Sequence, residues 1–158
     1  MNYKNVGIKE LNKIMKVEDL RIRNYVECKT VNGCKIGQIE YLSGDFFMAV
    51  IDGKTYGQKY GQFKQCIEPI LLTEEILLKC GFRKDKSGGY RYDNCNDSIS
   101  IKVGSSYTFI EYANLCFNPE DVTETNYSSS LEFPNQIYLH TLQNIWNLLT
   151  GKELEIKL

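Results

Sequence analysis

Closely spaced turn sequences limit the first half of the chain to short antiparallel strands. Asn32-Gly33, Ser43-Gly44-Asp45 and Asp52-Gly53 leave stretches of nine and six residues between them. Asn-Gly and Asp-Gly pairs tolerate the positive φ values that two-residue hairpin loops require. The sequence therefore predicts four or five short strands that form a small curled antiparallel sheet, of which an SH3-like barrel is one form.

The alternation of polar and apolar residues predicts which side of this sheet is buried. From Leu20 to Cys28 the even positions are mostly apolar and the odd positions mostly charged, which indicates a strand with one solvent-exposed face. Arg21 and Arg23 are thereby predicted to face solvent. Residues 46–51 are apolar at every position, which is typical of a central strand.

The first turn also predicts a register. A two-residue loop at Asn32-Gly33 would set Val31 opposite Cys34 and Cys28 opposite Gly37. The two thiols would then point to opposite faces of the hairpin, where they cannot form a disulfide. The apolar pattern of the second strand changes phase around Gly37, which predicts a β-bulge there.

The second half of the chain changes between helical and strand patterns. Thr73 is a good N-cap and Gly81 suits the position just beyond a helix end, so a short helix is predicted between them. A three-stranded antiparallel meander, a polar surface loop and a final helix are predicted to follow. The segment that contains the first helix is 69–81, and the predicted bounds are 90–94, 98–103 and 107–112 for the meander, 118–135 for the loop and 136–150 for the last helix.

The sign of the charge changes near Glu68-Pro69. Residues 1–67 hold 11 Lys and Arg against 7 Asp and Glu, whereas residues 68–158 hold 8 against 13. We therefore predict an α+β chain in which a β part precedes a mixed part, as separate domains or as one continuous fold. The predicted parts are an N-terminal extension at 1–16, a small β domain at 17–68 and an α+β domain at 69–158.

The overall charge and hydropathy exclude two classes of partner for the chain as a whole. Its net charge is −1, so no general attraction to nucleic acid or to an anionic membrane is expected. The sequence shows no apolar run of about 18 residues and no export signal, so we expect a cytoplasmic protein without membrane contact. The six cysteines are then expected to be free thiols.

No sequence pattern points to a catalytic, metal or cofactor site. A structural zinc site needs about four closely placed Cys or His ligands, whereas this chain has one histidine and no closely spaced Cys pair. A Cys-His catalytic pair would need His140, and a helical wheel places that residue opposite the apolar stripe, in solvent. We therefore expect a non-enzymatic protein. The stripe comprises Tyr138, Leu139, Leu142, Ile145, Trp146 and Leu149, and the polar side comprises His140, Gln143, Asn144 and Asn147.

One segment combines positive charge with aromatic rings. Residues 53–64 contain three lysines, three aromatic residues and no acid. Lysines can bind phosphates and rings can stack on bases or pack on a partner protein, so the segment is either a binding surface or a solvated hairpin that covers a sheet edge. The candidate binding residues are Lys54, Tyr56, Lys59, Tyr60, Phe63 and Lys64, and Arg21, Arg23, Lys29 and Lys35 would extend the basic side.

Three further segments carry a resemblance to a known family. They are Lys16–Val26, with LRIRNYV, Ile67–Phe82, with IEPILLTEEILLKCGF, and His140–Leu154, with HTLQNIWNLLTGKEL. Together they resemble the landmarks of small uncharacterised proteins of Bacteroidetes phages, prophages and conjugative elements. Members of that family usually begin near Met15, and they tend to have Gly at Arg23 and an aromatic residue at Ile76. The resemblance implies a mobile-element setting and identifies no catalytic residue.

These observations leave three functional hypotheses. In the first, the chain is an accessory protein that occupies a host protein or ribonucleoprotein in the bacterial cytoplasm, such as a CRISPR nuclease, and so inhibits a defence system. In the second, it binds a nucleotide or nucleic acid, for example as a sponge for a defence signalling nucleotide. In the third, which ranks last, it is a small enzyme whose site is assembled from distant residues.

Overall fold

The computed structural model describes residues 19–43, 46–59, 67–93, 97–104, 107–116, 125–134 and 137–157. The chain divides into two compact units, the first comprising residues 1–70 and 138–144, and the second residues 71–137 and 145–158. Each unit contains a five-stranded antiparallel sheet. The described elements are β1 (Tyr25–Thr30), β2 (Gly33–Ser43), β3 (Phe46–Ile51), β4 (Lys54–Lys59), β5 (Ile67–Glu68), α1 (Glu74–Lys79), β6 (Arg83–Lys84), β7 (Tyr90–Asp93), β8 (Asp97–Val103), β9 (Thr108–Cys116), β10 (Thr125–Phe133) and α2 (Leu139–Thr150).

The sheet of the first unit has the strand order β4, β3, β2, β1, β5. The first four strands form successive hairpins, and β5 then pairs with the free side of β1. Across the described residues the sheet is open, because β4 and β5 are its two edges and do not pair with each other. The SH3-like barrel considered from the sequence is therefore not closed.

The turn between β1 and β2 lies one residue earlier than the sequence suggests. Thr30 pairs with Gly33, so the loop residues are Val31 and Asn32, and the predicted register is wrong. The Thr30 hydroxyl closes this loop, since Oγ1 donates to the Gly33 carbonyl at 2.7 Å and accepts from the Asn32 N–H at 3.2 Å. Cys28 lies opposite Lys35 as a result.

The expected bulge in β2 is also displaced. The register with β3 shifts between Ile39 and Tyr41, whereas Gly37 lies in regular pairing. Close packing, and not a bulge, explains the glycine at position 37. A Cβ there would lie 2.9 Å from both Cys28 Sγ and Ile51 Cγ1. The missing side chain lets the buried face of the sheet pack closely at this point.

The segment before β1 is a turn, and the strand predicted from Leu20 begins only at Tyr25. Arg23 has a φ of 74°, so the backbone is not extended at this position. Its N–H donates to the Ile39 carbonyl at 2.6 Å, and the Ile39 N–H donates to the Asn24 carbonyl at 2.8 Å. Asn24 is fully buried, so an even, inward-facing position in the pattern holds an amide instead of an apolar side chain.

Gln143, on α2, binds the backbone of this turn. Its Oε1 accepts from the Tyr25 N–H at 2.8 Å, and its Nε2 donates to the Arg23 carbonyl at 3.2 Å. The Gln143 side chain is almost completely buried. Both ends of the amide are therefore satisfied by main-chain groups, as a buried amide requires.

Asn144, the next residue on α2, binds the same turn. Its Nδ2 donates to the Asp19 carbonyl at 2.8 Å. Its Oδ1 accepts from Asn24 Nδ2 at 3.0 Å and from Arg21 Nε at 3.1 Å. We call Gln143 and Asn144 the amide clamp, because their hydrogen bonds hold residues 19–25 against the first part of α2.

The sheet of the second unit has the strand order β10, β9, β8, β7, β6. Strands β7, β8 and β9 form the antiparallel meander at its centre. The prediction of a loop over 118–135 is wrong for Thr125–Phe133, which pairs with β9 along its whole length as β10. The described side chains of β10 are mostly exposed. A polar edge strand of this kind lacks the one-sided apolar alternation that identifies other strands.

Helix α1 and the last part of α2 lie in the second unit and pack as their sequences favour. Thr73 is the N-cap of α1, and its Oγ1 accepts from the Ile76 N–H at 3.3 Å. Gly81, with a φ of 87°, follows the helix. In the last part of α2, Trp146 is buried and meets Phe82 and Tyr92 edge-on, with ring centroids 6.0 Å and 4.7 Å away.

Replacing Arg23 by glycine should raise the free energy of unfolding by about 1 kcal/mol, because a left-handed conformation costs an L-residue roughly 1–2 kcal/mol. The Arg23 side chain is exposed, and its backbone hydrogen bonds survive the change. Denaturant titration measures the effect. Arg23→Ala, which keeps a Cβ, is the control and should bring no comparable gain. A glycine variant less stable than the wild type would contradict the assigned conformation.

Gln143→Leu should lower the free energy of unfolding by about 2 kcal/mol, because it removes the hydrogen bonds that this almost completely buried amide makes with the Tyr25 N–H and the Arg23 carbonyl. Thermal and denaturant unfolding measure the loss. Leu148→Gln is the matched control on the same helix, since Leu148 is 82% exposed and its change should cost less than about 0.5 kcal/mol. Equal stability of the two variants would show that the amide clamp is dispensable.

Candidate binding site

A cavity of about 290 Å³ opens on the buried face of the first sheet, beside the β1–β2 and β3–β4 hairpins. We call it the mouth pocket. Its floor is apolar and its rim is polar, the arrangement that most small binding sites share. The floor comprises Cys28, Phe47, Ala49, Ile51 and Ile67, and the rim comprises Lys29, Thr30, Val31, Asn32, Lys35, Asp52 and Tyr56.

Strand register explains why these residues meet. Cys28 lies opposite Lys35, and Ala49 lies opposite Tyr56. Directly paired residues point to the same side of a sheet, so Lys35 and Tyr56 share the inner face with the buried Cys28 and Ala49. The inner face is thus apolar at the centre of the sheet and carries a cation and an aromatic ring toward its open edge.

The rim lysines are paired with carboxylates. Lys29 Nζ lies 2.6 Å from a Glu68 carboxylate oxygen, and Lys35 forms an ion pair with Asp52. Hydrogen bonding and attraction to these carboxylates raise the pKa of both lysines above the usual lysine value. Positive and negative groups therefore alternate along the rim. A ligand would gain binding energy there from directed hydrogen bonds more than from attraction to a net charge.

The structure separates the residues that the sequence grouped as a basic and aromatic surface. Tyr56 lies on the rim and is 49% exposed, and Lys54 is exposed on the same strand. Lys59 ends β4. Tyr60, Phe63 and Lys64 lie outside the described residues.

The two arginines lie elsewhere in the first unit. Arg21 Nε binds the amide clamp, and Arg21 Nη2 donates to the Gln143 carbonyl at 3.4 Å. Arg21 therefore has a structural contact, and its predicted place on a free strand face is wrong. Arg23 is exposed in the turn before β1. The partner-binding role of both residues stays a prediction.

Sequence reasoning missed the pocket floor and Asn32. Phe47, Ile51 and Ile67 carry the ordinary signal of core residues, and nothing in their pattern distinguishes a core that is covered from one that opens to solvent. The pairing of Cys28 with Lys35 was the available signal, but it depends on a turn that the sequence placed one residue late. The position of Lys35 on the inner face could not be found without that register.

His140 is buried, and the prediction that it faces solvent is wrong. Its ring stacks on that of Tyr138, with the centroids 5.8 Å apart and the planes 9° from parallel. Its Nδ1 is buried without a hydrogen-bond partner among the described residues. A helical wheel predicts that the side of α2 with His140 and Gln143 faces solvent, whereas both residues are buried in the first unit.

Burial lowers the pKa of His140 from 6.5 to about 4, against a smaller opposing effect from Asp19. The unfolded chain therefore takes up the proton first as the pH falls. Stability should be complete above pH 6.5 and should fall below it by up to about 1.4 kcal/mol per pH unit, until about pH 4. Unfolding of the wild type and of His140→Phe, compared across this range, measures the effect. An identical pH dependence in the two proteins would contradict it.

Comparison with known proteins and known site types adds no assignment. No protein-family model, curated protein or solved structure matches the chain. Among the residues that the structure describes, no group of three or more His, Cys, Asp or Glu residues is placed to hold a metal ion. In the same residues, no helix combines the length and apolar character needed to span a membrane. The mouth pocket is the candidate site because of its own geometry.

Proposed function

We propose that this chain is a non-enzymatic accessory protein of a phage or another mobile element. It acts by binding a host protein or ribonucleoprotein in the bacterial cytoplasm, and it inhibits a defence system such as a CRISPR nuclease. The observation that carries the binding role is the mouth pocket, an apolar cavity with an exposed tyrosine beside an edge strand. The mobile-element setting follows from the resemblance of the three sequence segments.

The size of the mouth pocket suits one anchoring side chain of a partner. Binding energy at protein interfaces is concentrated in a few large residues that fill desolvated pockets. A cavity of about 290 Å³ with Phe47, Ile51 and Ile67 in its floor offers such a pocket. The polar rim, with Asn32 and Tyr56, can hydrogen-bond to the partner around the anchor.

Lys54 and Tyr56 supply the exposed part of this surface. Both lie on β4, and their positions place them on the inner face with the pocket floor. Lys54 has no ion pair among the described residues. An acidic group on the partner would therefore find an unpaired cation next to the pocket, which favours a partner with acidic residues flanking its anchor.

The second candidate function is nucleotide or nucleic-acid binding. The observation that favours it is the presence of Tyr56, Lys29 and Lys35 around one small pocket. A base can stack on an aromatic ring while lysines bind its phosphate. The ion pairs of both lysines reduce the attraction for phosphate, so this function stands behind protein binding.

Tyr56→Ser should weaken capture of the partner at least about tenfold, because the loss of a large aromatic side chain from an interface costs about 1.4 kcal/mol or more. The test is affinity purification of the tagged chain from the native bacterial host, followed by quantitative mass spectrometry and nucleic-acid analysis. Tyr41→Ser is the matched control, because Tyr41 is 44% exposed and pairs with Met48 on the opposite face of the same sheet.

A host protein that is captured by the wild type and by Tyr41→Ser, but not by Tyr56→Ser, would support the proposal. A nucleotide or RNA bound with that same dependence on Tyr56 would support the second candidate instead. Capture that is equal in all three proteins would place binding outside the mouth pocket and overturn the assigned surface.

A further inference from the structure

The second unit contains a separate cavity, of about 620 Å³. Its volume lies within the range of small-molecule sites. It lies where the end of α1, the strand β7, the last part of α2 and the C-terminal segment meet, and we call it the aromatic pocket. Its lining comprises Lys79, Cys80, Gly81, Tyr92, Trp146, Lys152, Glu153, Leu154, Glu155 and Lys157.

One wall of the aromatic pocket is formed by rings. Tyr92 and Trp146 are in edge-to-face contact, with centroids 4.7 Å apart. Such a pair is rigid, because each ring is also packed against Phe82. The Trp146 indole N–H is buried without an acceptor among the described residues. This wall therefore offers an ordered apolar and aromatic surface.

The C-terminal segment forms another part of the lining and is held in place by hydrogen bonds. The Lys157 N–H donates to the Lys79 carbonyl at 3.0 Å, and Asn147 Nδ2 donates to the Lys152 carbonyl at 3.3 Å. Leu154 is buried between these two anchoring points. Lys152 and Lys157 are thereby brought to the same cavity at opposite ends of a six-residue segment.

The charged side chains that line this cavity differ in whether they already have a partner. Lys79 pairs with Glu75, and the Glu153 carboxylate accepts from Asn147 Nδ2 at 3.3 Å. Lys152 and Lys157 have no ion pair among the described residues. Glu155 is exposed on the same segment. Lys152 and Lys157 are therefore the cations of this lining that have no carboxylate partner among the described residues, and the lining also holds two carboxylates, Glu153 and Glu155.

The remaining polar group in the lining is not a nucleophile. Cys80 is buried, and burial raises the pKa of its thiol to about 12. At neutral pH the side chain is a neutral thiol that contributes polarisable surface. The aromatic pocket is thus suited to binding without covalent chemistry.

We propose that the aromatic pocket binds a small organic anion that has a flat aromatic body. The ring packs against Tyr92 and Trp146, and the anionic group lies between Lys152 and Lys157. This site is independent of the mouth pocket and of the host factor. Two classes of ligand have an aromatic body and an anionic group, namely nucleoside monophosphates and aromatic carboxylates. They differ in the charge and size of the anionic group.

Trp146 is the single tryptophan of the chain, so the indole fluorescence comes from a residue of this pocket lining. The test is titration of the full chain with AMP and, separately, with 4-hydroxybenzoate, with excitation of the indole and calorimetry as a second readout. We expect a saturable fluorescence change with at least one probe. Saturation with AMP alone would identify the phosphate source, and saturation with 4-hydroxybenzoate alone the carboxylate source.

The double variant Lys152→Gln/Lys157→Gln should weaken binding at least tenfold. Lys86→Gln/Lys102→Gln is the matched control, because it removes the same charge from exposed positions of the same unit outside the pocket lining. Circular dichroism establishes that both variants are folded. The absence of saturable binding of either probe, or an equal loss in the control, would overturn the proposal. Neither result would bear on capture of a host protein through Tyr56.

Discussion

The amide clamp is the constraint on which the first unit depends. Two adjacent helix side chains, Gln143 and Asn144, provide hydrogen-bond partners for four groups of the turn at residues 19–25. Among them is the side-chain amide of Asn24, which is fully buried. A buried polar group left unpaired costs roughly 1–3 kcal/mol, which is a large part of the stability of a small domain. The two segments that meet here, residues 19–25 and the first part of α2, lie more than one hundred residues apart in the chain.

The clamp also determines where the sheet begins. It holds Arg23 in a left-handed conformation and directs the chain into β1 at Tyr25, so that Val26 and Cys28 point inward. β1 is the strand that pairs with both β2 and β5. The placement of Cys28 and Ile67 in the floor of the mouth pocket therefore depends on hydrogen bonds that lie at the other end of the strand.

Particular residues show how far the sequence could predict this chain. The Asp52-Gly53 turn, the Thr73 cap and the meander at β7–β9 depend on local chemistry, and the sequence identifies them. The loop at Val31-Asn32 depends on a hydroxyl that competes with a favourable Asn-Gly pair, so the register was missed. The burial of His140 and Gln143 depends on a segment more than one hundred residues away in the chain, whereas a helical wheel uses only the sequence of the helix itself. The mouth pocket could not be predicted for both reasons. The inner-face position of Lys35 depends on the register, and the placement of Cys28 and Ile67 depends on the distant amide clamp.

The open edge of the first sheet follows from the side chains on β4. On the inner face, the positions next to Ile51 and Ala49 are Lys54 and Tyr56, whose stems and rings are apolar and whose tips are polar. Such residues tolerate water, so they do not require a covering strand. Lys29 and Lys35 are already neutralised by Glu68 and Asp52. Under the proposed function, selectivity at this edge would come from the shape of the apolar floor and from Lys54, which has no ion pair among the described residues. A folded partner with one large anchor would then suit this edge better than a polyanion.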